Sequence, residues 1–243
     1  MADAFTDFFT FLAGSALPRF MQGLGTTLLI AGCSIAIGFA LGILTGTGRA
    51  FGNAVVSKIC AVYIEVVRGI PLIVQILIWR YAFSGFYDFL QNTLGLPVNA
   101  ALLAAILAIG INSGGYQAEI IRAGVNAIPS GQTEAGLSLG MNRGQVIKAI
   151  LLPQTLRMSI PPLINEFVIV IKDTSLALAI GITELASIAQ SLTSQYPGQI
   201  FEIYMINAAV YLIICFGISS LSKVAEKRLA IAGFGVKGRR SLL

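Results

Sequence analysis

Long apolar runs, broken at intervals by short charged clusters, dominate the chain, and their lengths predict membrane-crossing helices. A helix needs about 20 mainly apolar residues to cross about 30 Å of hydrocarbon, because lipid offers its backbone groups no hydrogen bonds. Five segments meet that length. The first, 23–46, holds no charged residue. The second, 60–83, has Glu65 and Arg68 near one end and the run Gly69-Ile70-Pro71 inside, which predicts a bend or interruption. The third, 99–121, ends at Glu119 and Arg122. The fourth, 160–182, is the least apolar and contains Glu166, Lys172 and Asp173, whereas the fifth, 203–224, is clean apart from its basic end. The pattern predicts an all-α integral membrane protein with five transmembrane helices, organised as one domain over 1–243: a segment 1–22, the spans within 23–224, and a basic tail 225–243.

Composition agrees. Apolar residues make up 56% of the chain and charged ones 11%, against about 25% charged in soluble domains. Of the 16 basic residues, 12 fall between spans one and two, between spans three and four, or in the tail. Since cytoplasmic loops are enriched in Lys and Arg, those three regions are expected in the cytoplasm, with the N-terminus outside. The net charge of +5 is then explained by topology and contact with anionic lipid, and no nucleic-acid partner is expected. Cys33, Cys60 and Cys215 fall in or at spans and imply no disulfide framework. Asp3 and Asp7 stand where a secretory leader needs basic residues, so no leader is expected. Phe5, Phe8, Phe9, Phe11 and Leu12 make a short amphipathic piece expected to lie in the outer interface. Asp88–Pro97 and Ser191–Gln199 read as short outer loops.

Between spans three and four about 38 residues form a polar island too long for a turn. Pro129-Ser130-Gly131 breaks the exit from span three. Thr133 is then expected to cap a short helix running through Leu139, with Glu134 in its positive first turn. Gly140 supplies a residue free to take positive φ, and Asn142 is expected to cap a second helix carrying Val146, Ile147 and Ile150, ended by Pro153. So short a hairpin leaves Leu137, Leu139 and Met141 seeking a groove on another protein.

Glu134-Ala135-Gly136, then Gly140, then Ile150-Leu151-Leu152-Pro153 resembles the coupling loop of ABC importer permeases: Glu-Ala-Ala, three residues, Gly, nine residues, Ile, one residue, Leu-Pro. Gly136 stands where the motif has Ala. Resemblance to polar amino acid permeases extends over nearly the whole chain from Gly23 onward. It is carried by Arg68-Gly69-Ile70-Pro71-Leu72-Ile73-Val74-Gln75, by Tyr116-Gln117-Ala118-Glu119-Ile120-Ile121-Arg122, and by Ile160-Pro161-Pro162, Asn165-Glu166-Phe167 and Lys172-Asp173-Thr174-Ser175-Leu176. Gly114-Gly115 and Ala123 are small departures from that pattern. The resemblance implies a type I ABC importer permease fold in a prokaryotic cytoplasmic (inner) membrane. It also implies a second permease subunit, identical or related, two ATPase subunits, and an extracytoplasmic solute-binding protein that delivers an amino acid. The coupling segment 129–157 would meet the ATPase through Glu134, Ala135, Gly136, Leu137, Gly140, Met141 and Pro153. No G-x-x-x-x-G-K-[ST] loop occurs in the 243 residues, so ATP and Mg are expected on the partner, and this chain is expected to be non-catalytic and without a cofactor or metal site.

A zwitterion crossing a bilayer needs acidic and basic partners, and charges at membrane depth are rare without a role. Lys172 and Asp173, followed by Thr174 and Ser175, are therefore the leading pathway residues, with Gln75 and Glu166 beside them and Asn112 and Tyr116 as weaker candidates. The alternative is that Lys172 and Asp173 pair with each other or with Glu166, although neighbours on a helix point about 100° apart. Glu65 with Arg68, and Glu119 with Arg122, read better as ion pairs three residues apart. Thr26, Ser34 and Thr45 read as hydrogen-bonding residues within or between helices. An ion-coupled secondary carrier is the competing function, disfavoured because such carriers usually need more spans and repeated halves. A subunit with no pathway must explain the charges of span four. A membrane enzyme lacks support, with no His and no nucleophile beside a base.

Overall fold

The computed structural model describes residues 11, 14 and 16–229, with side chains described as far as residue 224. Of the expected interfacial segment, Phe5, Phe8, Phe9 and Leu12 lie outside the described residues, as does the tail beyond 229. Phe11 is buried, its ring centroid 4.7 Å from that of Tyr196.

Every described element is helical. Helix α1 spans Leu17–Phe51. Helix α2, Ala54–Gly69, starts at Asn53, whose side chain accepts from the Val56 amide. At Ile70-Pro71 the chain turns by 100° into α3, Leu72–Leu77, which continues through a π-helical turn to Ala82. The bend expected from Gly69-Ile70-Pro71 is present. Helix α4 covers Ser84–Asp88 and passes through a second π turn to Thr93, so much of the expected outer loop 88–97 is helical. Helix α5 is Ala100–Asn126, capped by Asn99. The short helices α6, Ser130–Ser138, and α7, Arg143–Val146, follow. Helix α7 runs on through a π turn into α8, Leu152–Asp173, which ends in a 3₁₀ segment, Thr174–Ile180. Helix α9, Leu185–Gln195, precedes α10, Ile200–Leu229.

Three local expectations are corrected. Pro153 lies in the first turn of α8 and does not end a helix; it directly follows the π turn, closed by the Leu152 amide on the Ile147 carbonyl, which widens the ladder just ahead of a ring that has no amide to donate. Thr133 is not a cap; Pro129, with its extended ψ of 140°, starts α6 four residues earlier, which takes Glu134 out of the first turn. Most of the presumed outer loop 191–199 belongs to α9, a helix too short and too polar to register as a span. Among the described residues α1, α5 and Pro197–Val224 are each long and apolar enough to cross a membrane, and the bent pair α2 with α3 makes a fourth if it counts as one span. Helix α8 falls short of that apolar measure because Arg157, Glu166, Lys172 and Asp173 lie along it.

The bundle is organised on the contact of α1 with α5. Gly38, Gly42 and Gly46, one turn apart on α1, face Gly110, Gly114, Gln117 and Ala118 on α5. A Cβ on Gly42 would sit 2.7 Å from the Gln117 Cβ, and one on Gly46 would sit 2.7 Å from the Ala118 carbonyl oxygen. Small residues at four-residue spacing bring the two backbones together, and in lipid such packing replaces the hydrophobic drive available in water. Ser34 donates to the Ile106 carbonyl across the same contact at 3.1 Å, and Thr45 donates to Leu41 at 2.6 Å within α1. Around this pair the main core gathers Ile30, Ile76, Tyr87, Ile109, Val170 and Ile180.

A second tie holds α9. Fully buried Glu184 accepts from the Ala186 and Ser187 amides at 2.9 and 2.8 Å, and the Tyr211 hydroxyl of α10 donates to it at 2.9 Å. The outer faces remain apolar: Leu212, Ile213 and Phe216 of α10 are each about two-thirds exposed or more, as helices bounded by lipid or another subunit require.

The α1–α5 contact generates the first test. Gly42→Val forces a branched side chain into Gln117 and the α5 backbone, an overpacking that costs about 1–3 kcal/mol or more. Thermal unfolding of the detergent-solubilised protein should show a lower midpoint than wild type, and an unchanged midpoint would contradict the tight contact.

Candidate functional site

The break between α2 and α3 opens a cavity of about 540 Å³, within the 300–1,000 Å³ typical of small-ligand sites. One wall is the break itself, with Arg68 and Pro71; a second is α5, with Asn112 and Tyr116; the third is α8, with Glu166 and Asp173. Helical spacing explains the membership. Asn112 and Tyr116 lie one turn apart, while Glu166, Ile169 and Asp173 follow the three-and-four rhythm that places side chains on one face.

Pro71 has no amide to donate, and the end of α2 leaves carbonyls without helical partners. Buried Gln75 supplies them, its Nε2 donating to the Val67 and Ile70 oxygens at 2.7 and 2.8 Å. Asn112 Nδ2 donates to the same Val67 oxygen at 3.2 Å, linking the break to α5. Arg68 places its guanidinium carbon 4.9 Å from the Tyr116 ring centroid and makes no ion pair among the described residues. Glu166 is 6% exposed, and Ser113 Oγ donates to its Oε1 at 3.1 Å. The cavity wall therefore carries one cation and two carboxylates, enough to hold both ends of a zwitterion.

The structure selects among the residues expected on the pathway. Glu166 and Asp173 line the cavity, as do the weaker candidates Asn112 and Tyr116. Lys172 is exposed and absent from the wall, turned about 100° away from its neighbour. The Thr174 hydroxyl donates to the Ile171 carbonyl and that of Ser175 to the Lys172 carbonyl, each at 2.7 Å, so both are engaged at the end of α8. Gln75 is engaged at the break. The basic wall residue is Arg68, which sequence reasoning had paired with Glu65. Glu65 instead lies 3.8 Å from Arg49. Arg49 also bonds Glu119, which Arg122 holds at 2.7 Å, so the expected Glu119–Arg122 pair forms within a larger cluster joining α1, α2 and α5. The position of Arg68 immediately before Gly-Ile-Pro was the available signal: a cation adjoining a helix break points into the space the break creates.

The second region is the elbow formed by α6 and α7. Gly140 adopts φ +81°; its amide donates to the Leu137 carbonyl at 3.0 Å, and the Met141 amide donates to Gly136 at 3.2 Å. That double closure is a Schellman stop. Asn142 and Gln145 exchange side-chain and backbone hydrogen bonds at 2.8 and 2.9 Å, a complete capping box that starts α7. Gly136 is buried against Val146 and Ile150, where an added Cβ would approach Val146 Cγ2 to 2.8 Å. The departure from Glu-Ala-Ala therefore coincides with a close approach of the two helices. Met141 is partly buried and packs with Phe51, Ile147 and Ile150 against buried Val146 and Leu151. Leu137 and Leu139 are 42% and 82% exposed, and Glu134, Ala135 and Pro153 are also exposed.

A bundle of apolar helices, a charged cavity at a helix break and an exposed helical elbow together define the membrane subunit of a transporter. Residues 38–231 match the family described as binding-protein-dependent transport system inner membrane component. The chain is 37% identical over 216 residues to the glutamine transport system permease protein GlnP of Escherichia coli K12, covering 89% of this chain and 95% of that protein. It is 37% identical to the L-cystine transport system permease protein TcyB of Bacillus subtilis 168, covering 87% of each. A crystal structure of an amino acid ABC transporter with histidines contains a chain similar at TM-score 0.76 and 32% identity, covering 87% of this chain and 94% of that one. The chain belongs to the binding-protein-dependent transport system inner membrane component family, among the amino acid ABC permeases, with the type I importer permease fold.

The elbow yields the second test. Valine at position 140 would be held at a φ that costs a branched residue about 1–2 kcal/mol or more and would loosen the stop between α6 and α7. Gly140→Val should insert into the membrane in normal amount yet lose most ATP-driven uptake in vesicles; normal uptake would count against a coupling role.

Proposed function

We propose that this chain is the permease subunit of an ATP-driven importer of a polar L-amino acid, and that the amino acid passes through the cavity beside Pro71. One observation carries the reading: Arg68 faces the same cavity as Glu166 and Asp173. The guanidinium suits an α-carboxylate, which it can grip with two parallel hydrogen bonds, and a carboxylate suits the α-ammonium group. Asn112 and Tyr116 supply neutral polar contacts, while Lys172, Thr174, Ser175 and Gln75 serve the ends and the bend that shape the path. The printed functions of the relatives, transport of glutamine and of cystine, support an amino acid cargo without selecting one.

In this reading five spans cross a prokaryotic inner membrane, the broken α2–α3 pair counting as one and α8 as another, with the N-terminus outside and the C-terminus in the cytoplasm. Two permease subunits pair over two ATPase subunits that bind ATP and Mg, and an extracytoplasmic binding protein delivers the cargo. Glu134, Ala135, Leu137 and Leu139 on and beside α6 meet the ATPase with Met141 at their edge, buried Gly136 lets α6 close on the helix behind it, Gly140 sets the angle of the elbow, and Pro153 stands in the first turn of the helix that carries its movement to Glu166 and Asp173. The family membership gives no support to an ion-coupled carrier.

Uptake by proteoliposomes holding the complete transporter tests the cavity. Arg68→Gln, Glu166→Gln and Asp173→Asn each remove one charge-assisted contact worth about 1.5–3 kcal/mol, so apparent KM should rise by about tenfold or more. The cavity reading fails if rate and substrate preference are unchanged in all three.

A further inference from the structure

Glu166 is joined to a polar chain that runs away from the cavity into the α1–α5 contact. Ser113 Oγ donates to Glu166 Oε1 at 3.1 Å and itself accepts from Gln117 Nε2 at 2.9 Å. Ser113 is 2% exposed and Gln117 is fully buried. Gln117 is fixed from the far side: a Cβ on Gly38 would fall 2.6 Å from its Nε2, and one on Gly42 would fall 2.7 Å from its Cβ. A long amide is thus threaded between two glycines in the tightest contact of the bundle, where apolar packing would avoid leaving Gln117 Oε1 buried without a partner.

We propose that Gln117 is a positioning residue for the cavity, acting through Ser113 to hold the Glu166 carboxylate toward the cargo. The direction of the chain supplies the reason. A hydroxyl has one proton to donate; with the Gln117 amide occupying an acceptor site of Ser113, that proton is left to point at Glu166. Without the amide the Ser113 hydroxyl is free to turn to a backbone carbonyl of its own helix, as Ser and Thr commonly do, and the carboxylate loses its only described hydrogen-bond donor. The inference rests on the cavity reading above. It adds that two buried residues behind the wall, neither of them lining the cavity, set how strongly the wall binds.

The experiment measures concentration-dependent uptake of the transported amino acid by the complete transporter in proteoliposomes. Gln117→Met keeps the unbranched shape that fits between Gly38 and Gly42 and deletes the amide; Ser113→Ala cuts the chain at its middle with a smaller side chain. Each should raise apparent KM by about fivefold with a smaller change in maximal rate, the scale of one lost hydrogen bond. Because the two residues act in series, the double variant should be no worse than the poorer single one. The infrared band of the Glu166 carboxylate, assigned by its loss in Glu166→Gln, should shift in both single variants, a readout that looser packing alone would not move. If Glu166→Gln raises KM while Gln117→Met and Ser113→Ala leave KM and the band unchanged, the positioning role is overturned and the cavity stands. Additive effects in the double variant would overturn the series relay. If Glu166→Gln itself leaves KM unchanged, the relay is overturned, while the cavity reading is still decided by Arg68→Gln and Asp173→Asn. Should Gln117→Met fail to assemble, Ser113→Ala decides by the same two readouts.

Discussion

Close approach of α1 and α5 is the constraint on which the remaining structure depends. Lipid chains are as apolar as Leu or Ile, so burying large side chains between membrane helices gains little, and association depends on packing fit and on hydrogen bonds across the contact. Gly38, Gly42 and Gly46 against Gly110, Gly114 and Ala118 provide the fit, because no Cβ on α1 stands between the backbones. Once that pair is set, α5 presents Asn112 and Tyr116 to one side and Ser113 and Gln117 to α8 and α1. The same glycines thus determine both the axis of the bundle and the depth at which polar groups can be inserted into it.

The cavity is a consequence of what happens beside that axis. Ile70-Pro71 ends α2 and turns the chain by 100°. Such a break within a membrane is tolerated where its backbone groups are satisfied or face a cavity. Gln75 and Asn112 meet the freed carbonyls, and Arg68 projects from the last turn before the break. Opposite, α8 tolerates Glu166 and Asp173 because they face this space and not lipid. The charges that keep α8 from resembling a simple membrane span are those that give the cavity its chemistry.

Mechanical continuity links the cavity to the elbow. Helix α7 runs without a stop through a π turn into α8, so continuous helix joins the elbow to the residues Glu166 and Asp173. The elbow is also packed on Phe51 at the end of α1, two residues beyond Arg49, which bonds Glu119 of α5. A Schellman stop and a capping box fix the turn between α6 and α7, and Leu137 and Leu139 stay exposed on it.

The amino-acid sequence by itself determined the helical class, the membrane setting, the bend at Gly69-Ile70-Pro71, the positive φ of Gly140 and the cap at Asn142. Each follows from a local property: an apolar run long enough to cross lipid, a ring that removes an amide, a residue without a Cβ, a side chain that reaches its own helix start. Tertiary structure alone decided that Arg68 and not Lys172 faces Glu166 and Asp173, that Arg49 bridges Glu65 and Glu119, that Met141 packs inward, and that α7 continues past Pro153. Those outcomes depend on how helices are rotated and which faces meet, and several arrangements of the same helices satisfy every local preference. The contact of Gly38, Gly42 and Gly46 with α5 likewise came from tertiary structure, because only the assembled bundle brings Gly110, Gly114 and Gln117 opposite them.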